Sequence, residues 1–110
     1  HKLRPYPYEV FSCLFLDNAH RFIHFEELFH GSINEAAIYP RELIRQVYEH
    51  NAAAVILAHN HPSGIAEPSE ADKRITQEIK SILSAIDVRL LDHIIIGEGA
   101  ITSFASQGLL

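Results

Sequence analysis

The sequence is poor in cysteine and has no long apolar run. Cys13 is the single cysteine among 110 residues, so no internal disulfide can form and the chain suits a reducing compartment. Its alternation with apolar residues predicts a small buried side chain rather than a reactive thiol. No apolar run approaches the roughly 18 residues of a membrane span, and the first residues show no signal-peptide pattern. We therefore expect a cytoplasmic domain with no membrane attachment.

Basic residues are also scarce. Nine lysines and arginines stand against 14 acidic residues, giving a formal net charge of −5. Non-specific nucleic-acid binding requires a basic surface, so direct nucleic-acid binding is not expected. The hydrophobic fraction of 47% in 110 residues is enough for one core, which predicts a single domain over residues 1–110. The opening residues carry no clear start signal, so we expect a further N-terminal region in the full protein.

Hydrophobic periodicity predicts the order ββαβαββ. Residues 1–7 contain two prolines and are expected to form an extended lead-in. The chain then predicts a hairpin, a helix that starts at Pro40, a continuous apolar strand, an amphipathic helix and two final strands. The expected bounds are 9–17, 21–29, 40–51, 52–58, 69–86, 88–96 and 101–104. This pattern indicates an α/β fold with a mixed β-sheet sandwiched by helices.

Two histidines follow the apolar strand directly. Side chains on a strand repeat every two residues, so His59 and His61 point to the same side and can share one ion. The turn at residues 62–64 and the loop to Pro68 can return Asp72 as a third ligand. Zinc accepts histidine nitrogen and aspartate oxygen, and three protein ligands with one open position are typical of catalytic zinc.

Each half of this pattern has a simpler interpretation. Residues 69–72 have the S-x-x-[DE] form of a capping box, in which Ser69 and Asp72 only satisfy backbone amides. His59 and His61 alone could be two polar residues at a strand end. The combined pattern, however, places four polar groups around one strand-to-helix crossing, which capping does not require. The combination favours a metal site.

The same four residues carry a resemblance to a known family. His59, His61, Ser69 and Asp72 match the H-x-H-x7-S-x2-D signature of the JAMM (MPN-plus) metalloproteases at every fixed position. The surrounding segments resemble the bacterial RadC-like branch, which carries a DNA-repair label. They are GSIN at 31–34, YPRELI at 39–44, AAAVILAHNHPSG at 52–64, EPSEAD at 67–72 and LLDHIIIG at 90–97. The resemblance spans residues 9–104 and implies the JAMM/MPN fold, which is similar to that of the cytidine deaminases.

The resemblance also implies a set of roles. Zinc would be the cofactor, with His59, His61 and Asp72 as its ligands and a peptide or isopeptide bond in a peptide or protein as the substrate. Ser69 would stabilise the oxyanion or position the water, and Glu9 is the best match for the family's general base. The competing glutamates are Glu26, Glu27 and Glu42. The chain departs from many relatives at residues 65–66, where it has Ile-Ala instead of an acidic residue and a proline.

Three other functions compete with the hydrolase. A DNA-repair-associated module that binds DNA directly is disfavoured by the net charge of −5, and a non-catalytic, metal-free binding module predicts no bound zinc. A deaminase requires a P-C-x-x-C ligand pair that the single Cys13 cannot supply. An exposed edge strand could pair two copies into a homodimer. Asp92 and His93 are either a satisfied buried pair or a pair that orients a ligand imidazole. The sequence indicates no role for His20, His24, His30 or His50.

Overall fold

The computed structural model describes residues 8–31 and 40–110, which form the predicted ββαβαββ order. The expected lead-in at residues 1–7 and most of the GSIN segment lie outside the described residues. No helix in the described ranges is long and apolar enough to cross a membrane. The elements are β1 (Val10–Leu16), β2 (Phe22–His30), α1 (Pro40–Glu49), β3 (Ala54–Asn60), α2 (Glu70–Ser84), β4 (Arg89–Ile96) and β5 (Ile101–Ser103).

The five described strands form one mixed sheet in the order β2-β1-β3-β4-β5. Strand β1 is antiparallel to both β2 and β3, whereas β3 and β4 are parallel and are connected by α2. The α/β class and the mixed sheet are therefore confirmed. Because parallel strands end at the same edge of a sheet, the carboxyl end of β3 lies beside that of β4, with His59 opposite Ile95.

The main core lies on the face of the sheet that carries the odd-numbered side chains of β1. Phe11, Cys13 and Phe15 are buried in it, and both described helices contribute their apolar residues to the same cluster. Burial raises the pKa of the Cys13 thiol, so this side chain acts as the small buried hydrophobe that the sequence predicted. The helical members of the cluster are Leu43, Val47, Ile79 and Leu83.

Helix α2 begins and ends close to its predicted limits. Ser69 is the N-cap in an extended conformation, and the helix ends at Ser84 with Ala85 as its C-cap. Residue Asn51, predicted to stop the first helix, has a positive φ of 51° just after α1. Left-handed backbone of this kind commonly follows a helix C-terminus. Local chemistry in the sequence therefore accounts for the lengths of both helices.

The apolar face of α2 should contribute most of that helix's stabilising energy. Ile79 is 1% exposed and Ile101 on β5 is 59% exposed. We expect Ile79→Ala to lower the free energy of unfolding by about 2–5 kcal/mol, because it leaves a cavity in the main core. The same substitution at Ile101 should cost less than about 1 kcal/mol. Urea denaturation of both variants measures this, and equal losses would contradict the assigned core.

Candidate metal centre

The two histidines of the motif are supported by strand β3 and by the strand beside it. His59 is fully buried, and its ring stacks on that of Phe11 with centroids 5.7 Å apart. His61 follows β3, and its backbone N–H donates to the carbonyl of Ile96 at 2.9 Å, which keeps the chain alongside β4. The Nε2 atoms of His59 and His61 lie 3.0 Å apart. The predicted pairing of these two imidazoles is therefore present.

The loop after β3 fixes the orientation of His61. The Nδ1 atom of His61 lies 2.9 Å from the carbonyl oxygen of Ile65 and donates to it, because a carbonyl can only accept. This leaves Nε2 of His61 with a free lone pair. The loop reaches this position by packing tightly on Gly97, where an added Cβ would lie 2.4 Å from the carbonyl oxygen of Gly64. Only glycine permits that close approach.

Asp72 enters the site from the first turn of α2. The capping box is formed: Ser69 Oγ accepts from the Asp72 N–H at 3.0 Å, and Asp72 Oδ2 accepts from the Ser69 N–H at 2.8 Å. The same carboxylate lies 3.2 Å from Nε2 of His59 through Oδ1 and 3.2 Å from Nε2 of His61 through Oδ2. The capping interpretation and the ligand interpretation are therefore compatible, since one side chain meets both requirements.

The His59–His61–Asp72 group could hold a metal ion, because its ligand atoms lie within 4.8 Å of one another. Four ligands at zinc's usual distance of about 2.0 Å in a tetrahedron are separated by about 3.3 Å. The separations here are 3.0 Å between the imidazole nitrogens and 3.2 Å from each nitrogen to a different oxygen of the Asp72 carboxylate. The separation of the two nitrogens and the mixed nitrogen–oxygen donor set fit a small tetrahedral ion.

The electrostatics of the group suit a cation. Burial by itself would raise the pKa of Asp72, but its close contacts with the imidazoles of His59 and His61 outweigh it and hold that pKa well below its usual range. In return, the contact with Asp72 is the main reason that the pKa of His61 is raised. The site therefore keeps an ionised carboxylate out of bulk water, facing two imidazole nitrogens.

The sequence alone does not single out Asn60, which ties the end of β3 to the start of β1. Its side chain is 2% exposed. Its Oδ1 accepts from the Val10 N–H at 2.7 Å, and its Nδ2 donates to the carbonyl of Tyr8 at 2.9 Å. These two bonds bracket Glu9. A polar residue between two candidate ligands is a usable signal, because a buried amide needs hydrogen-bond partners, but these partners lie about fifty residues away in the sequence.

The two residues predicted to act in catalysis lie near the cluster. Glu9 is half-buried immediately before β1, and its negative charge contributes to the raised pKa of His61. Ser69 is exposed at the start of α2, and its oxygen accepts from Asp72 N–H, so the hydroxyl hydrogen is not used in that bond.

The competing glutamates have partners elsewhere. Glu26 contacts His24, and Glu27 contacts His30, both on β2. Glu42 lies on α1 and accepts from the guanidinium of Arg45. Glu9, by contrast, contributes to the raised pKa of His61.

Asp92 and His93 have different contacts: His93 faces the candidate site, and Asp92 faces the C-terminal turn. The Nε2 atom of His93 lies 2.8 Å from Nδ1 of His59, and burial lowers the pKa of His93 to about 3, so this ring is neutral near pH 7. Asp92 instead accepts from the Ala105 N–H at 2.9 Å and from the Ser103 hydroxyl at 2.6 Å. His93 thus contacts His59 of the candidate site, while Asp92 connects the C-terminal turn to β4.

The domain is therefore an α/β domain with a mixed five-stranded sheet and a candidate metal site. The histidine–histidine–aspartate cluster of that site lies where a strand leads into a helix. The model of the RadC-like JAB domain matches residues 1–109. The chain belongs to this family, as its H-x-H-x7-S-x2-D signature and flanking segments had predicted.

Several bacterial relatives carry only the name UPF0758 protein. The chain is 62% identical to one from Nitrosococcus oceani, over 99% of this chain and 49% of the relative. It is also 62% identical to one from Stenotrophomonas maltophilia, over 100% of this chain and 47% of the relative. A Coxiella burnetii relative is 59% identical over 99% of this chain and 49% of its own length. The chain thus spans about half the length of these curated relatives.

Removing the Asn60 amide should loosen the start of β1. We expect Asn60→Ala to lower the free energy of unfolding by about 1–3 kcal/mol, because the Val10 N–H and the Tyr8 carbonyl lose their partners. Hydrogen exchange at the Val10 amide should accelerate more than exchange in α2. The matched control is Asn18→Ala in an exposed turn. Unchanged Val10 protection in Asn60→Ala would refute the assigned role.

Proposed function

We propose that this domain is a zinc-dependent hydrolase that cleaves a peptide or isopeptide bond in a peptide or protein, and that it acts in the cytoplasm. The observation that carries the proposal is the convergence of two imidazole nitrogens, 3.0 Å apart, with one carboxylate whose two oxygens each lie 3.2 Å from one of them. The single buried Cys13 agrees with a reducing compartment. The chain spans about half the length of its relatives, so the substrate named here for the whole protein is also a proposal.

Zinc is the ion that the donor set favours. Two nitrogens and one carboxylate oxygen make three protein ligands, which is the number found in catalytic zinc sites with a fourth position open to water or substrate. Calcium and magnesium prefer sites built from oxygen alone. A bound zinc ion would supply a water of lowered pKa and a Lewis acid for the amide carbonyl.

Glu9 is the proposed general base. Its carboxylate would take a proton from the attacking water and deliver it to the nitrogen of the leaving amine, the usual work of a positioned glutamate. Two observations support this choice over the other glutamates. The negative charge of Glu9 contributes to the raised pKa of His61. The Asn60 side chain also holds the backbone on both sides of Glu9 by hydrogen bonds.

Ser69 is the proposed oxyanion donor. Its oxygen is held by the Asp72 N–H, which fixes the hydroxyl beside the ligand carboxylate while leaving its hydrogen available. A hydroxyl positioned in advance can donate to the negative charge that develops on the substrate oxygen. Ser69 would therefore contribute to helix capping and to catalysis with different parts of the same group.

Zinc binding is the first test of the proposal. Purified protein should bind one zinc ion per chain, and His61→Ala should lose it because one of three ligands is removed. His24→Ala is the matched control, since His24 lies on β2 and contacts Glu26. Elemental analysis by mass spectrometry after dialysis gives the stoichiometry. Full zinc occupancy in His61→Ala, or none in the wild type, would reject the site.

Activity is the second test. Zinc-loaded protein should hydrolyse members of a fluorogenic library that contains both peptide and lysine isopeptide bonds. Glu9→Gln should reduce the rate by roughly 100- to 10,000-fold with zinc retained, because the amide cannot accept the proton. Glu78→Gln on the exposed side of α2 is the control. A zinc-loaded wild type without hydrolysis would favour a non-catalytic module, and full activity in Glu9→Gln would reassign the base.

A further inference from the structure

A buried chain of hydrogen bonds runs behind His59, away from the candidate metal position. Nδ1 of His59 lies 2.8 Å from Nε2 of His93, and Nδ1 of His93 lies 2.6 Å from the hydroxyl of Thr76. That hydroxyl lies 2.6 Å from the backbone carbonyl of Asp72. His59, His93 and Thr76 are all 0% exposed, so water does not compete for these bonds.

The donor and acceptor in each of these hydrogen bonds follow from the backbone carbonyl of Asp72, which is the last group in the series. A carbonyl oxygen only accepts, so the single hydrogen of the Thr76 hydroxyl is used in the bond to Asp72. Toward His93, the Thr76 oxygen can then only accept, which requires the hydrogen of His93 to be on Nδ1. In a neutral imidazole the other nitrogen carries no hydrogen.

These bond directions determine which nitrogen of His59 carries a hydrogen. Since Nε2 of His93 carries no hydrogen, it accepts from Nδ1–H of His59. A histidine that donates through Nδ1 presents the lone pair of Nε2 to a metal. That Nε2 atom is the one that lies 3.0 Å from His61 and 3.2 Å from Asp72. The opposite bond direction would place a hydrogen on the atom that has to bind the ion.

We propose that Thr76 and His93 are positioning residues that fix the tautomer of His59 and thereby set the affinity of the site for zinc. The inference rests on the proposed function, since it takes this cluster as the zinc site. The series of contacts starts and ends at the same residue. It begins at the backbone carbonyl of Asp72, passes through Thr76, His93 and His59, and returns to the Asp72 side chain.

Aromatic packing keeps the rings in the orientation that the bonds require. Phe104 stacks on His93 with ring centroids 4.6 Å apart at 23°. Phe11 stacks on His59 at 5.7 Å and meets His93 edge-on at 5.6 Å and 70°. Rings held between such contacts cannot rotate to a different donor arrangement without disturbing the core. The packing sets the ring planes, and Thr76 sets where the hydrogens lie.

Two substitutions at one position separate the hydroxyl from the packing. Thr76→Val keeps the shape and removes the hydroxyl, whereas Thr76→Ser keeps the hydroxyl. We expect Thr76→Val to bind zinc roughly 10- to 100-fold more weakly, because His93 loses its acceptor at Nδ1 and no longer has to accept from His59; losing the hydrogen-bond acceptor of a ligand histidine usually costs this much. Thr76→Ser should recover most of the wild-type affinity. Competition with a fluorescent zinc chelator measures the affinities, and thermal unfolding shows whether each variant is folded.

Nitrogen-15 NMR of the metal-free protein gives a readout that packing alone would not move. Wild type and Thr76→Ser should show His93 with its hydrogen on Nδ1, and Thr76→Val should lose that signature. A His93 hydrogen on Nε2 in the wild type would overturn the inference, and this measurement requires no variant. Equal zinc affinity in wild type and Thr76→Val would also overturn it. Absence of zinc binding by the wild type would instead reject the proposed function, while the NMR result still decides the bond directions.

Discussion

The buried carboxylate of Asp72 is the constraint on which the rest of the site depends. It is 2% exposed and ionised, and an ionised group removed from water is strongly unfavourable unless charges and hydrogen bonds compensate it. The backbone of Ser69 and the imidazoles of His59 and His61 provide that compensation. A cation placed between the same atoms would compensate it more fully, which is the physical basis for assigning a metal centre here.

The fold supplies each of these partners from a rigid element. The parallel pairing of β3 and β4 places His59 at the sheet edge, and the crossover through α2 returns Asp72 to the same edge. The positive end of the α2 dipole lies beside its carboxylate, which further favours the ionised form. Gly97 allows the loop that orients His61 to pack closely on β4. Sheet, helix start and loop therefore meet at one point.

The sequence predicted the parts of this arrangement that are local. Strand alternation placed His59 and His61 on one side, the S-x-x-D pattern placed a cap at Ser69, and hydrophobic periodicity predicted α2 as an amphipathic helix. The supporting contacts were not predictable in the same way. His59 and His93 are 34 residues apart, and Asn60 and Val10 are 50 apart, so both contacts depend on how the strands align in the sheet. Single-sequence periodicity contains no information on that register.

The most direct measurement of the central claim is X-ray absorption spectroscopy at the zinc edge on the zinc-loaded protein. The account predicts one zinc with two imidazole nitrogens and two oxygens, one from Asp72 and one from solvent, all at about 2.0–2.2 Å. The imidazole signal should halve in His59→Ala if any zinc remains bound. A spectrum with sulfur from Cys13, or a zinc environment without imidazole, would contradict the account.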